Sequence, residues 1–252
     1  MTPTIAANAG PSASLEVKCG KKLTIGILAL QGDFEAHARA FGNAGARSVL
    51  VRKPTDLTGL DGFVMPGGES TTMLKFLERD CFIEMLKELL STTPCFATCA
   101  GCILLAREVL SPTQPSLGLL DVTVERNAYG RQIDSAVIIE ETELSGGPLE
   151  MVFIRAPRIT RTGAGVEVLA RRDGSPTLVR QGHLLAATFH PEMTADVRVQ
   201  NLFLDLVCAH KLIRERSLLG GTKHASEKKR VHEKQRASHT LAQSTRKLLS
   251  VR

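Results

Sequence analysis

Between residues 23 and 110 the chain repeats one unit: a short apolar run, a stop of small residues, then a stretch with helical spacing. The first run, Leu23-Thr24-Ile25-Gly26-Ile27-Leu28-Ala29-Leu30, is broken by Gln31-Gly32-Asp33. It has no polar face, so it reads as a strand buried on both sides. Residues 34–45 read as a helix closing at Gly45, residues 48–51 as a second strand, and residues 62–65 as a third, stopped by Pro66-Gly67-Gly68. Residues 70–90 read as one or two helices, residues 94–98 as a fourth strand, and Ala100 to Leu110 as a helix. Strands that alternate with helices pair in parallel, because each crossover helix carries the chain back to the same edge. The fold class is therefore α/β: a mixed, largely parallel open sheet with helices on both faces.

Residues 118–190 change pattern. Strands follow one another at 120–125, 133–140, 150–155, 165–170, 177–180 and 184–189, with little helical signal between them. This predicts an antiparallel extension or edge on the same sheet. An amphipathic helix over about residues 195–211 ends the pattern, with Val199, Leu202, Phe203, Leu206 and Val207 on one side.

Three segments follow. Residues 1–22, rich in Ala, Ser, Pro, Thr and Gly, read as a flexible N-terminal extension, and residues 23–211 as one domain. Residues 212–252 read as a basic tail, helical at most around Glu227-Lys228-Lys229-Arg230 and otherwise disordered. Residues 211–252 hold 12 of the 32 Lys and Arg but 3 of the 26 Asp and Glu, so the +6 net charge belongs to the tail and the body is mildly acidic. The body does not argue for nucleic acid, and with no Trp and one Tyr it offers few stacking platforms. No apolar run is long enough to span a bilayer, which argues against a membrane partner, and the first 22 residues lack the apolar core of a secretory signal. The cytoplasm, a reducing compartment, is the default. Cys99 and Cys102 form a Cys-x-x-Cys, but no second pair or nearby His cluster completes a metal site.

In Phe96-Ala97-Thr98-Cys99-Ala100-Gly101-Cys102 a buried strand runs directly into a helix. A side chain at such a turn projects from the top of the sheet, and small neighbours leave room for a substrate. The helix N-terminus favours a thiolate, and the Ala100 N–H points where an oxyanion would form. The competing reading is a buried structural cysteine, and it is the one taken for Cys81, Cys95, Cys102 and Cys208.

A cysteine nucleophile needs a base, and the base needs an orienting partner. The apolar strand 184–189 ends in His190-Pro191-Glu192. Pro191 fixes the local backbone so that His190 and Glu192 can share one side of the turn, where the carboxylate can hold the imidazole tautomer. His37, on a helix, and the remaining histidines have no such context. Pro66-Gly67-Gly68-Glu69-Ser70-Thr71-Thr72 follows a strand and opens a helix, and its glycines let backbone N–H groups approach an anion. Read plainly, it is a Gly-rich turn with Ser70 as the N-cap. It lacks the Lys of a phosphate-binding loop.

Together, Gly67-Gly68-Glu69-Ser70, Thr98-Cys99-Ala100-Gly101 and Phe189-His190-Pro191-Glu192 resemble the motifs of class I, triad-type glutamine amidotransferases, which have a flavodoxin-like three-layer fold. Within that group, Ala29-Leu30-Gln31-Gly32, Pro66 to Met73, Val124-Glu125-Arg126-Asn127, Gly130-Arg131-Gln132 and Phe153-Ile154-Arg155-Ala156-Pro157 resemble the glutaminase subunits of pyridoxal 5′-phosphate synthases. The resemblance covers roughly residues 23–210. It implies Cys99 as nucleophile, His190 as general base and acid, and Glu192 as its orienter. It implies glutamine binding by Gly68, Glu69, Ser70, Arg126, Ile154 and Arg155, and an oxyanion site at Gly67, Gly68 and Ala100. Gln31 would lie beside that site and the partner interface. The implied reaction hydrolyses L-glutamine, needs no metal or cofactor, and passes ammonia to a barrel-shaped synthase subunit in a hetero-oligomer. Two alternatives stay open at this point: a glutaminase serving imidazole glycerol phosphate or guanylate synthesis, and a non-catalytic scaffold whose basic tail binds nucleic acid or acidic partners.

Overall fold

A computed structural model describes residue 19, residues 22–126, residue 128 and residues 135–217. The chain divides into two units, Met1–His210 and Lys211–Arg252. In the second unit residues 211–217 are helical, where sequence composition suggests disorder, and the Ser217 hydroxyl donates to the Ile213 carbonyl at 3.1 Å. The rest of the basic tail, most of the N-terminal extension, Asn127 and the Gly130-Arg131-Gln132 motif lie outside the described residues.

In the first unit, strands β1 (Thr24–Leu28), β2 (Arg47–Val51), β3 (Gly62–Met65) and β4 (Cys95–Thr98) alternate with helices α1 (Phe34–Asn43), α2 (Ser70–Leu77) and α3 (Phe82–Thr92). Helix α4 (Ala100–Leu105) then leads into strands β5 (Ala106–Leu110), β6 (Leu120–Glu125), β7 (Ser135–Glu140), β8 (Leu149–Ile154), β9 (Arg158–Thr162), β10 (Glu167–Arg172), β11 (Ser175–Gln181) and β12 (Leu184–Ala187). Helix α5 covers residues 198–210 of this unit.

The main sheet has seven strands in the order β10-β11-β12-β4-β3-β1-β2. Its five strands from β12 to β2 are parallel, and β11 and β10 add an antiparallel edge. The largely parallel sheet and its antiparallel extension agree with the sequence reading. The extension is only partly on the same sheet, however. Strands β5-β6-β9 form a separate sheet, and β7-β8 a two-stranded ribbon. The helix read from Ala100 to Leu110 stops at Leu105, and Ala106–Leu110 becomes β5, pairing parallel with β6. Strand β9 has no counterpart in the sequence reading. Four of its five residues, Arg158, Thr160, Arg161 and Thr162, are polar, and it pairs antiparallel with β6.

Side-chain alternation splits the core in two. Leu28, Phe63, Met65, Cys95, Ala97, Leu184 and Ala186 point to the face covered by α2, α3, α4 and the β5-β6-β9 sheet. On the other face Phe41 of α1, Phe96 of β4 and Phe203 of α5 meet with ring centroids 5.7–6.5 Å apart. Gly62 leaves the space that Phe203 and Val207 fill. On α5 the buried side is Val199, Phe203, Leu204 and Val207, while Leu202 and Leu206 are half-buried.

Two cysteines depart from the reading as buried free thiols. Cys208 is joined to Cys19 by a disulfide across 189 residues, and Cys81 is exposed at the N-terminus of α3. Cys95 and Cys102 are free and fully buried. Among the described residues, no helix is long and apolar enough to cross a membrane.

Truncating Phe203, which is fully buried between two other rings, should cost about 3–5 kcal/mol. Urea denaturation of Phe203→Ala against the wild type measures this, with the midpoint falling and the slope unchanged.

Candidate active site

Three turns meet at the C-terminal end of the parallel sheet, where open α/β sheets place their sites. In register, Met65 lies opposite Ala97, and Thr98 opposite Ala187. The turns after β3, β4 and β12 therefore leave the sheet at one level.

Cys99 follows β4 directly and caps α4 with φ 47° and ψ −103°. That is a left-handed backbone for a non-glycine residue, a cost of order 1–3 kcal/mol that persists only where the surroundings enforce it. Enforcement is visible: the Cys99 N–H donates to Ala187 O at 2.9 Å, and Ile103 N–H donates to Cys99 O at 3.2 Å. Gly101 sits so close to Met65 that any Cβ would collide with that backbone. The small residues after Cys99 thus bring α4 against β3 and leave the sulfur at the sheet top. The Cys99 Sγ lies 3.9 Å from the Ile154 carbonyl.

His190 comes directly after Phe189, with its N–H donating to Val152 O at 2.8 Å. Pro191–Met193 form one 3₁₀ turn, and Gln200 of α5 buttresses it by donating to Pro191 O at 3.0 Å. The turn places Glu192 Oε1 2.8 Å from His190 Nδ1. The Glu192 side chain is fully buried. Burial pushes its carboxyl up, but the imidazoles of His37 and His190 outweigh that and hold it down at about 2. Burial likewise opposes charge on His190, yet the Cys99 sulfur and the Glu192 carboxylate raise its pKa to about 10. His190 Nε2 is buried and makes no hydrogen bond among the described residues. Glu192 thus orients the imidazole from behind while Nε2 stays available for proton transfer with the sulfur.

The turn after β3 lies against the same imidazole. A Cβ on Gly67 would strike the His190 ring, and Gly68, at φ +151°, has no room for one beside Gln31. The Gln31 Oε1 accepts from Glu69 N–H at 2.6 Å, and Gly67 O accepts from Asp33 N–H at 3.1 Å. Ala100 is the first residue of α4, so its N–H has no partner within the helix.

The N-cap of α2 is Glu69, whose carboxylate accepts from Thr71 N–H at 3.3 Å, not Ser70. Ser70 is buried as the first helical residue, and its hydroxyl donates to Gln114 Oε1 at 3.0 Å. Its side chain therefore faces Gln114. Arg126, at the end of β6, reaches Glu69 at 3.4 Å. Arg155 follows β8 with φ 45° and is exposed. Partial burial raises the Glu69 carboxyl, but Thr71 and the charges of Arg126 and Arg155 give a net lowering. Arg126 and Arg155 thus both act on the Glu69 carboxylate, and two cations beside one anion are a set suited to a zwitterionic amino acid.

Two residues in this region were not singled out in the sequence. Gln114 lies in an irregular stretch, and nothing marks it as buried. His37 is fully buried on α1 with Nε2 3.3 Å from Glu192 Oε1. Its signal was spacing: it shares the apolar stripe with Phe41, and an ionisable group there needs a partner.

A family model described as the SNO glutamine amidotransferase family matches residues 27–209. The pyridoxal 5′-phosphate synthase subunit PdxT of Koribacter versatilis is 57% identical over 185 residues, covering 73% of this chain and 96% of that protein. The PdxT of Thermotoga neapolitana is 47% identical over 187 residues, 73% of this chain and all of that protein. A solved structure described as a glutamine amidotransferase superposes with a TM-score of 0.67 at 46% identity, covering 73% of this chain and 98% of that one. PurLQS from Thermotoga maritima shares the fold at 14% identity and a TM-score of 0.56, over 73% of this chain and 98% of that one.

The low Glu192 pKa carries a stability prediction. An unperturbed carboxyl protonates at 4.5 and this one at about 2, so its ionisation contributes about 3 kcal/mol above pH 4.5. That contribution disappears as the pH falls from 4.5 toward 2. Urea midpoints of the wild type and Glu192→Gln should stand apart at pH 6 and meet only as the pH approaches 2.

Proposed function

The chain belongs to the SNO glutamine amidotransferase family, and from that premise we propose that Cys99, His190 and Glu192 are the triad with which it works as the glutaminase subunit of a pyridoxal 5′-phosphate synthase. Hydrolysis of L-glutamine by this subunit supplies vitamin B6 biosynthesis. The observation that carries the triad assignment is the strained Cys99 turn beside an imidazole whose Nδ1 is 2.8 Å from a buried carboxylate.

The reaction follows from this geometry. Glutamine enters with its α-carboxylate toward Arg126 and Arg155 and its ammonium toward Glu69. Its side-chain amide then lies over Cys99. The Cys99 thiolate, its proton held on His190 Nε2, attacks the amide carbon, and the developing oxyanion takes N–H donors from the Gly67-Gly68 turn and Ala100. His190 Nε2 gives its proton to the departing nitrogen, the C–N bond breaks, and ammonia leaves a γ-glutamyl thioester on Cys99. Water then attacks the thioester, and His190 takes one of its protons. The C–S bond breaks and glutamate departs, so the net change is glutamine and water to glutamate and ammonia. Glu192 holds the tautomer and balances the imidazolium in both halves. Gly67 is glycine because His190 must turn against its backbone. Gln31 holds the Glu69 end of the oxyanion turn.

Ammonia released into water would protonate and lose its nucleophilicity. The partner is therefore a synthase subunit docked over the cleft, which receives the ammonia directly within a hetero-oligomer. The high identity to PdxT proteins over nearly their whole length favours this pathway over other glutaminases, and residues 23–211 carry the activity.

Glutamate release by the full chain mixed with a synthase subunit tests the proposal. Cys99→Ala should lower it by at least about 10³-fold, and equal release by both proteins would refute the nucleophile. Arg155→Ala should raise KM for glutamine by roughly 10-fold with little change in kcat, as expected for losing one hydrogen bond to a charged group.

A further inference from the structure

Helix α1 buries a second imidazole behind the triad. His37 has no exposed surface, and its ring lies against those of Phe41 and Phe96, with centroids 6.4 and 6.1 Å away. A polar ring among phenylalanines is costly unless it is hydrogen-bonded. Its Nε2 has two oxygen neighbours, Thr98 Oγ1 at 3.0 Å and Glu192 Oε1 at 3.3 Å. Two lone pairs would repel at that separation from an anionic oxygen, so Nε2 carries the hydrogen. The opposite nitrogen, Nδ1, is buried and without a hydrogen bond among the described residues. A lone pair is tolerated there better than an orphaned N–H. The ring therefore donates from Nε2 toward Thr98 and Glu192.

From the carboxylate's side, Glu192 Oε1 is approached by His190 Nδ1 at 2.8 Å and by His37 Nε2 at 3.3 Å, while Oε2 makes no hydrogen bond among the described residues. The group is thus held through one oxygen between two imidazoles, one on the cleft side and one on the core side. The other titratable groups facing this cluster are Asp33, in the turn before α1, and Cys99, through His190. Asp33 has a carboxylate oxygen within 4.8 Å of ligand atoms of both His190 and Glu192.

We propose that His37 is a positioning residue for the Glu192–His190 pair, donating from Nε2 to fix Glu192 in the orientation from which Oε1 accepts from His190. This rests on the triad reading above and adds a fourth residue to it, one that touches neither substrate nor reacting atoms. Removing the donor frees the carboxylate to turn and makes it easier to protonate. Both effects weaken the hold on His190, and the second appears first in acid.

The test uses the full chain with its synthase subunit, and follows kcat, KM for glutamine and the pH profile. His37→Leu keeps similar volume and removes the donor. It should lower kcat by about 10- to 100-fold and leave KM within about twofold, with the acid limb about one pH unit higher. His37→Gln, whose amide N–H reaches a similar point, should recover most of kcat and return the acid limb toward the wild-type position. If His37→Leu keeps wild-type kcat, or loses kcat with an unmoved acid limb, His37 is core filling and the proposal is wrong. Should the Leu variant not fold, His37→Asn, whose amide is too short to reach Oε1, is read by the same criteria. Cys99→Ala separates the two levels: full activity there sinks the triad reading itself, whereas an inactive Cys99→Ala beside an unaffected His37→Leu sinks only this proposal.

Discussion

Everything at the site hangs on the register of three neighbouring parallel strands. Because β3, β4 and β12 are hydrogen-bonded side by side with Met65 against Ala97 and Thr98 against Ala187, the residues that follow them emerge at one height. Gly67, Cys99 and His190 are far apart in sequence but close in space for that reason alone. A slip of one residue in any of these pairings would turn the emerging side chain to the other face. Fully buried strands resist such a slip, and β3, β4 and β12 are buried at every position.

Within that frame, three contacts demand the absence of a side chain. Gly101 meets the Met65 backbone, Gly67 meets the His190 ring, and Gly68 meets Gln31. Each lets two turns approach more closely than Cβ atoms permit, and the strained φ of Cys99 is stabilised by the hydrogen bonds this closeness allows. The electrostatics then builds on the packing. A carboxylate with no solvent exposure remains an anion because imidazoles face it from both sides.

The parallel half of the fold was legible because its strands are short, apolar and punctuated by glycine, and because the helices between them keep a 3.6-residue period. The region after residue 105 was harder. Ala106-Arg107-Glu108-Val109-Leu110 continues a helical pattern well enough to hide a strand whose pairing partner, β6, is local to a different sheet. Strand β9 hides for the opposite reason, since its arginines pair with the acidic side chains of Glu125 and Asp121 instead of filling a core. At the site, Cys99, His190 and Glu192 each sit in a turn with a readable geometry. Ser70 shows the limit of such reading, since its place next to the glycines suggested a cap but the fold turned its hydroxyl toward Gln114. The pairing of Cys19 with Cys208 could not be read at all, because the chain between positions 189 apart carries no sign of where the ends meet.

The stretch from Gln31 to His37 has a mechanical consequence. Its first residue holds Glu69 at the end of the glycine turn after β3, its third ties to Gly67 O, and its last reaches Glu192. From residue 34 onward it is α-helix, a rod with a rise of about 1.5 Å per residue and little give along its axis. Gln31 and Asp33, which tie down the glycine turn, precede the helix, and His37 sits in its first turn, so one seven-residue stretch touches both the turn and the carboxylate. A change that displaces this stretch reaches both contacts at once, so the glycine turn and the carboxylate share one alignment.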